Sequence, residues 1–123
     1  MGAWGYGPFD NDKAGEFVSI EVVVPLVGTI KQVSHRKKGY HYKEEQAVAA
    51  IEILLHISKI SNGVFEHELE ECSDALDIIS SDDDYMMAWN DPEKAFKQIN
   101  AQKKRVKDEI YRQRHRGRYV LGR

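Results

Sequence analysis

Apolar residues recur at helical rather than strand spacing over most of this chain. The clearest segment is Glu44 to Lys59, where Ala47, Val48, Ala50, Ile51, Ile53, Leu54, Leu55 and Ile57 cover most of a helical circumference. That distribution predicts a central, nearly fully buried helix. Ser61-Asn62-Gly63 ends it, with Asn62 or Gly63 able to take the left-handed position beyond the last turn. The stripe Phe65, Leu69, Cys72, Leu76, Ile79 then predicts a helix with one narrow apolar face. Ser80-Ser81-Asp82-Asp83-Asp84 reads as a serine cap followed by first-turn acids, opening a short helix through Tyr85, Met86, Met87, Ala88 and Trp89. Asp91-Pro92 caps the last helix, which turns Phe96, Ile99, Val106 and Ile110 inward and reaches about His115.

Upstream the pattern is less regular. Met1-Gly2-Ala3-Trp4-Gly5-Tyr6-Gly7-Pro8-Phe9 is a loop by its glycines and proline, and its aromatic rings are expected to tuck onto the core. Asp10-Asn11-Asp12 offers caps for a first helix starting near Asp12. Between Phe17 and Val33 β-branched residues abound, yet no period-two alternation appears and Pro25 argues against a central strand. The expectation is one helix up to about Val24 and a second from Pro25, then an exposed loop over His35 to Lys43. Gly117 and the residues after it read as a frayed or extended end. The predicted fold is all-α: one domain over 1–116, a bundle of five or six helices with the Gly/aromatic loop packed on it, and a basic tail over 117–123.

A length of 123 residues, 41% hydrophobic and 31% charged, fits a single globular core. The longest near-continuous apolar run, Val22 to Ile30, is far short of the ~20 residues of a membrane span, so no membrane partner is expected. No basic stretch precedes an apolar one at the N-terminus, and Cys72 is the one cysteine, which points to a reducing, cytoplasmic setting.

Charge changes the picture more. From Asn62 to Glu93 there are eleven acids and no Lys or Arg, while Lys103 to Arg123 holds nine bases against two acids. The two segments either neutralise each other across a helix–helix surface or present opposite fields to partners. If the first remains open, Glu66, Glu70, Glu71, Asp74, Asp77, Asp82, Asp83 and Asp84 form an acidic docking surface, with Tyr85 and Trp89 as apolar anchors.

Catalytic chemistry finds less support. The glycines lack a phosphate-loop or dinucleotide fingerprint, and no Gly-x-Ser-x-Gly elbow exists. Cys72 lies on an inward stripe among acids, where burial makes a poor nucleophile. Glu52 and His56, four apart, can meet or jointly ligate an ion, but no Cys/His set completes a zinc site. They are expected instead to satisfy each other or nearby amides, Glu52 in particular accepting from the glycine-rich loop. No cofactor is predicted. Nucleic-acid contact would rest on Lys103, Lys104, Arg105, Arg112, Arg114, Arg116 and Arg118 with Tyr111 and Tyr119, next to a repelling acidic segment.

The opening through Trp4-Gly5-Tyr6-Gly7-Pro8-Phe9-Asp10-Asn11-Asp12, continuing Lys13-Ala14-Gly15-Glu16-Phe17, resembles the bacterial domain-of-unknown-function 4259 family. Members typically open with Trp-Gly-x-Gly-x-Phe-x-Asn-Asp, then an alanine and an aromatic residue. Ala49-Ala50-Ile51-Glu52 and Tyr85-Met86-Met87-Ala88-Trp89 resemble the family's alanine-rich helix and its short Trp-ended helix. Gly15 departs from the larger or acidic residue common there. The resemblance implies a small helical cytoplasmic bacterial protein without an assigned reaction. For Trp4, Gly5, Gly7, Phe9, Asn11, Asp12 and Glu52 the expectation is a structural role. By analogy with small acidic helical proteins, and because a toxic nuclease must be basic, the expected function is a non-enzymatic immunity protein that neutralises a toxin. A nucleic-acid-associated protein and a small metal-dependent enzyme built on Glu52, His56 and the acidic cluster are the alternatives.

Overall fold

The computed structural model describes residues 6–36 and 43–121, with side chains in the last helix described as far as 115. Its helices are α1 (Asp12–Phe17), a π-helical segment (Val18–Val23), α2 (Val24–Ser34), α3 (Glu44–Ile60), α4 (Glu66–Ser81), α5 (Asp83–Met87) and α6 (Pro92–Leu121). The first three run on as one rod, so five separate helices make an all-α bundle without strands among the described residues.

The rod begins as expected, with Asn11 Oδ1 accepting the Ala14 N–H at 2.8 Å. It does not break at Pro25. Proline cannot donate to the carbonyl four residues back, and its ring crowds that carbonyl. The preceding turn widens instead, the Val24 N–H reaching back to the Ser19 carbonyl. Buried positions accordingly fall at Gly15, Val18, Val23, Val27, Ile30 and Val33. The five-residue step from Val18 to Val23 spans the wide turn and keeps both valines facing the core.

Pairing of α2 with α3 and α4, and of α6 with α4, encloses a core in which Ile30, Ile51, Leu54, Leu69, Leu76 and Ile79 are fully buried. The α4 stripe is as predicted from Leu69 to Ile79, but Phe65 stands at the N-cap and is half-exposed. There Glu68, itself buried, accepts the Phe65 N–H at 2.8 Å. Helix α3 is less enclosed than its composition suggests: its outer face carries Glu45, Ala49, Ile53 and His56 in solvent. Its C-cap Ser61 is extended, and Gly63 has no left-handed φ; glycine is needed at 63 for space, because α1 lies against it.

Four further expectations are corrected. Asp82, not a serine, caps α5, accepting the Tyr85 N–H at 3.1 Å, while both serine hydroxyls bond back to the Asp77 carbonyl. The backbone of α6 stays helical to Leu121, past the end expected near His115. Phe9 packs on the core but Tyr6 points fully into solvent, and Trp4 and Gly5 lie outside the described residues. Of the presumed loop after α2, Lys37 to Tyr42 also lie outside them, whereas the Arg36 side chain is largely buried between Glu44 and Asp82.

Candidate functional site: the α5 turn and the cleft between α3 and α6

Helix α6 runs antiparallel to α4 and parallel to α3, and this packing decides which charges remain available. Arg114 pairs with Glu66 and with Glu70, and Lys103 reaches Asp77 at 2.9 Å. Glu71 accepts from Ser34 and pairs with His35, and Asp82 accepts from Arg36 at 2.8 Å. The acidic surface is therefore partly zipped to the basic helix and partly tied to the end of α2. Asp74, Asp83, Asp84 and Glu93 are exposed and have no hydrogen-bond or ion-pair partner among the described residues. Three of these four, Asp83, Asp84 and Glu93, flank the chain segment around α5.

Most of the described cations from Lys103 to Arg114 are also occupied, Lys107 excepted. Besides Lys103 and Arg114, Lys104 is held by Asp108, Arg105 by Glu52, and Arg112 by Glu109 and the Ser58 carbonyl. Hydrogen bonding to Glu66 and Glu109 pushes the guanidinium groups of Arg114 and Arg112 further toward the charged form. The inward face of α6 also carries polar residues that its apolar stripe did not announce. Gln102 donates to the Val48 carbonyl at 3.0 Å and Gln113 to the Val64 carbonyl at 3.0 Å, bolting α6 to the backbone beside it.

Around α5, Met86 is wholly buried and anchors the turn, while Met87 and Trp89 are 66% and 46% exposed. Asp83 and Met87, one turn apart, share a face. Tyr85 is half-buried and meets Trp89 edge to face at 6.2 Å between ring centroids. Burial, with Glu45 and then Glu44 nearby, pushes the Tyr85 phenol up to about 12, so it stays protonated as a donor. Tyr85 and Trp89 form one end of an open cleft of about 690 Å³ whose walls are Val48 and Ala49 of α3 and Ala95 and Ile99 of α6. That volume lies within the ~300–1,000 Å³ of typical ligand pockets, and its lining is mainly apolar.

At the cleft's other end Glu52 receives both Arg105 terminal nitrogens, at 2.7 and 2.8 Å, with Gln102 at 3.3 Å and His56 at 3.1 Å. Arg105 above all, then Gln102, holds the Glu52 carboxyl down at about 2. Glu52 and His56 do satisfy each other, but the second donor is Arg105 rather than an amide of the N-terminal loop. Arg105 is 53 positions away, so no local pattern marked it. Gln102 is 94% buried and its Oε1 has no partner, an orphaned acceptor beside the cleft floor. Cys72 is wholly buried, and desolvation raises its thiol to about 12. Among the described residues no three His, Cys, Asp or Glu side chains gather closely enough to hold a metal ion.

The site therefore offers an apolar depression with two aromatic rings at its rim, unpaired carboxylates beside them, and a fixed, charge-balanced pair at the far end. Compared with protein-family models, with curated proteins and with solved structures, the chain matches none of them.

Proposed function

We propose that this protein is a non-enzymatic protein-binding module that grips a basic partner through the α5 turn, and that the partner is a bacterial toxin domain, nucleases among the candidates, which it neutralises as an immunity protein. The observation that carries this reading is the conjunction of exposed Met87 and Trp89 with Asp83, Asp84 and Glu93, which have no ion-pair partner among the described residues. Trp89 stands at the mouth of the apolar cleft and Met87 is exposed two residues away, and aromatic and methionine side chains are enriched at protein interfaces. Unpaired carboxylates beside them steer a cationic surface into place and speed encounter. The docking surface is thereby narrower than the acidic segment as a whole: Glu66, Glu70 and Asp77 hold α6, and Glu71 and Asp82 hold the end of α2. An arginine-led nucleic-acid contact has weaker support, since Lys103, Lys104, Arg105, Arg112 and Arg114 are all engaged internally, while the side chains of Arg116, Arg118 and Tyr119 lie outside the described residues.

The test measures binding of the purified protein to the basic product of the adjacent gene. Trp89→Ala is expected to weaken the complex by roughly 30- to 1,000-fold, the cost of truncating an aromatic anchor. Asp83→Asn with Asp84→Asn should slow association and flatten its salt dependence. A complex indifferent to both variants would remove the α5 turn as the docking site, and the absence of any complex would remove the immunity reading.

A further inference from the structure

We propose that the outer face of the rod formed by α1, the π segment and α2 is the contact between two copies of this chain, packed antiparallel about a two-fold axis at Val24. Phe17, Ile20 and Val24 are 59%, 61% and 57% exposed, three large apolar side chains that the core does not cover. Steps of four carry this face from Ile20 through Val24 to Gly28. By length and composition this rod, Asp12–Ser34, is apolar enough to cross a membrane, yet only 28% of its apolar 18-residue stretch is buried within the bundle. An apolar face of that kind on a surface helix calls for a cover.

Three features favour a second copy as that cover. A side chain at Gly28 would meet nothing within 4 Å, so the glycine leaves a notch in the outer face. An antiparallel pair centred on Val24 sets Ile20, four residues before the axis, opposite Gly28, four after it, and does so twice. Each isoleucine then fills the other copy's notch, as a two-fold interface requires. The same register lays Lys31 over Phe17 of the second copy, within reach of Glu16 and Glu21 there. Glu16, Glu21 and Lys31 have no ion-pair partner among the described residues of one copy. A parallel pair would set Glu16 against Glu16 and Lys31 against Lys31, which the antiparallel register avoids. One helix face is a small interface, so the dimer is reversible, with Kd on the order of tens of micromolar.

Sedimentation equilibrium of the full chain over a range from about tenfold below to tenfold above that Kd should show a monomer–dimer equilibrium. Gly28→Leu is the decisive variant. It fills empty space in one copy and improves helix propensity, so the monomer's melting temperature should hold or rise while Kd rises at least tenfold. Val24→Cys, oxidised, should give a covalent dimer through residue 24, since buried Cys72 cannot compete; Glu16→Cys, off the axis, should not. A monomer at every concentration overturns the proposal. So does a dimer that survives Gly28→Leu unchanged, or a chain that stays monomeric but sediments with phosphatidylglycerol vesicles in an Ile20→Glu-sensitive way, which would assign the face to lipid.

Discussion

Two glycines a few ångströms apart should respond to alanine in opposite directions. At Gly63 a Cβ would lie 2.8 Å from Val18 Cγ1, 2.9 Å from the Gly15 carbonyl oxygen and 3.0 Å from Val18 Cβ. Ordinary contact begins near 3.4 Å, so three atoms must each give by about half an ångström. None of them sits at the end of a flexible chain: one is backbone, and the others belong to a valine 4% exposed in the core. Overpacking of this kind costs ~1–3 kcal/mol, against ~0.4–1 kcal/mol gained by restricting the unfolded chain. Gly63→Ala should therefore lose about 1–2 kcal/mol, a fall in Tm of roughly 3–10 °C for a domain of this size. At Gly15 the Cβ meets Asn62 Oδ1 at 2.4 Å, but that atom ends an exposed side chain free to rotate away. Gly15 also lies within α1, where alanine gains ~1 kcal/mol of helix propensity. Gly15→Ala should leave stability unchanged or raise it by up to about 1 kcal/mol. Thermal and urea unfolding followed by circular dichroism at both variants decides the matter. A Gly63→Ala protein as stable as the parent would show that α1 does not rest on the α3–α4 turn as described.

Two further outcomes follow from the ionisable groups. With its thiol raised to about 12 by burial, Cys72 should resist Ellman's reagent at pH 8 in the native protein and react only at the rate of unfolding; labelling of the folded chain within seconds would contradict the packing of α4. Arg105 and Gln102 hold the Glu52 carboxyl from its ordinary 4.5 down to about 2. A carboxyl more acidic when folded contributes stability above about 4.5 that disappears as pH falls through about 2. Because both partners are some two-fifths exposed, the contribution at neutral pH is about 1 kcal/mol or less. Glu52→Gln should accordingly melt slightly below the parent at pH 7, with the gap closing toward pH 2, and a gap that stays constant with pH would refute the pairing.

Much of the fold was legible because its helices obey local rules. The Leu69, Cys72, Leu76, Ile79 stripe and the Asp91-Pro92 start depend only on spacing and caps, and both stand where the sequence put them. What periodicity could not convey is which side of a richly apolar helix another helix covers: Ile53 is as hydrophobic as Ile51, yet it is 46% exposed and Ile51 is fully buried. The continuous rod was hidden because proline reads as a boundary, although the five-residue gap between Val18 and Val23 was its trace. Most of the site escaped for a different reason. Glu52 with Arg105, Glu66 with Arg114 and Arg36 with Asp82 join residues 46 to 53 positions apart, and their pairing depends on the register of helices against one another. The exposure of Trp89 fits the proposed anchor, whereas the cleft beside it arises only when α3 and α6 come together.

The guanidinium of Arg36 bears on how the molecule responds to load. It lies just beyond the rod and reaches both the first turn of α3 and the residue that caps α5. Three segments, distant in sequence, thus share one fastening, and the α5 turn cannot tilt without pulling on the end of the first rod. A protein seated against Trp89 would push on a braced lever rather than on a loose loop, so little motion need be frozen when it arrives.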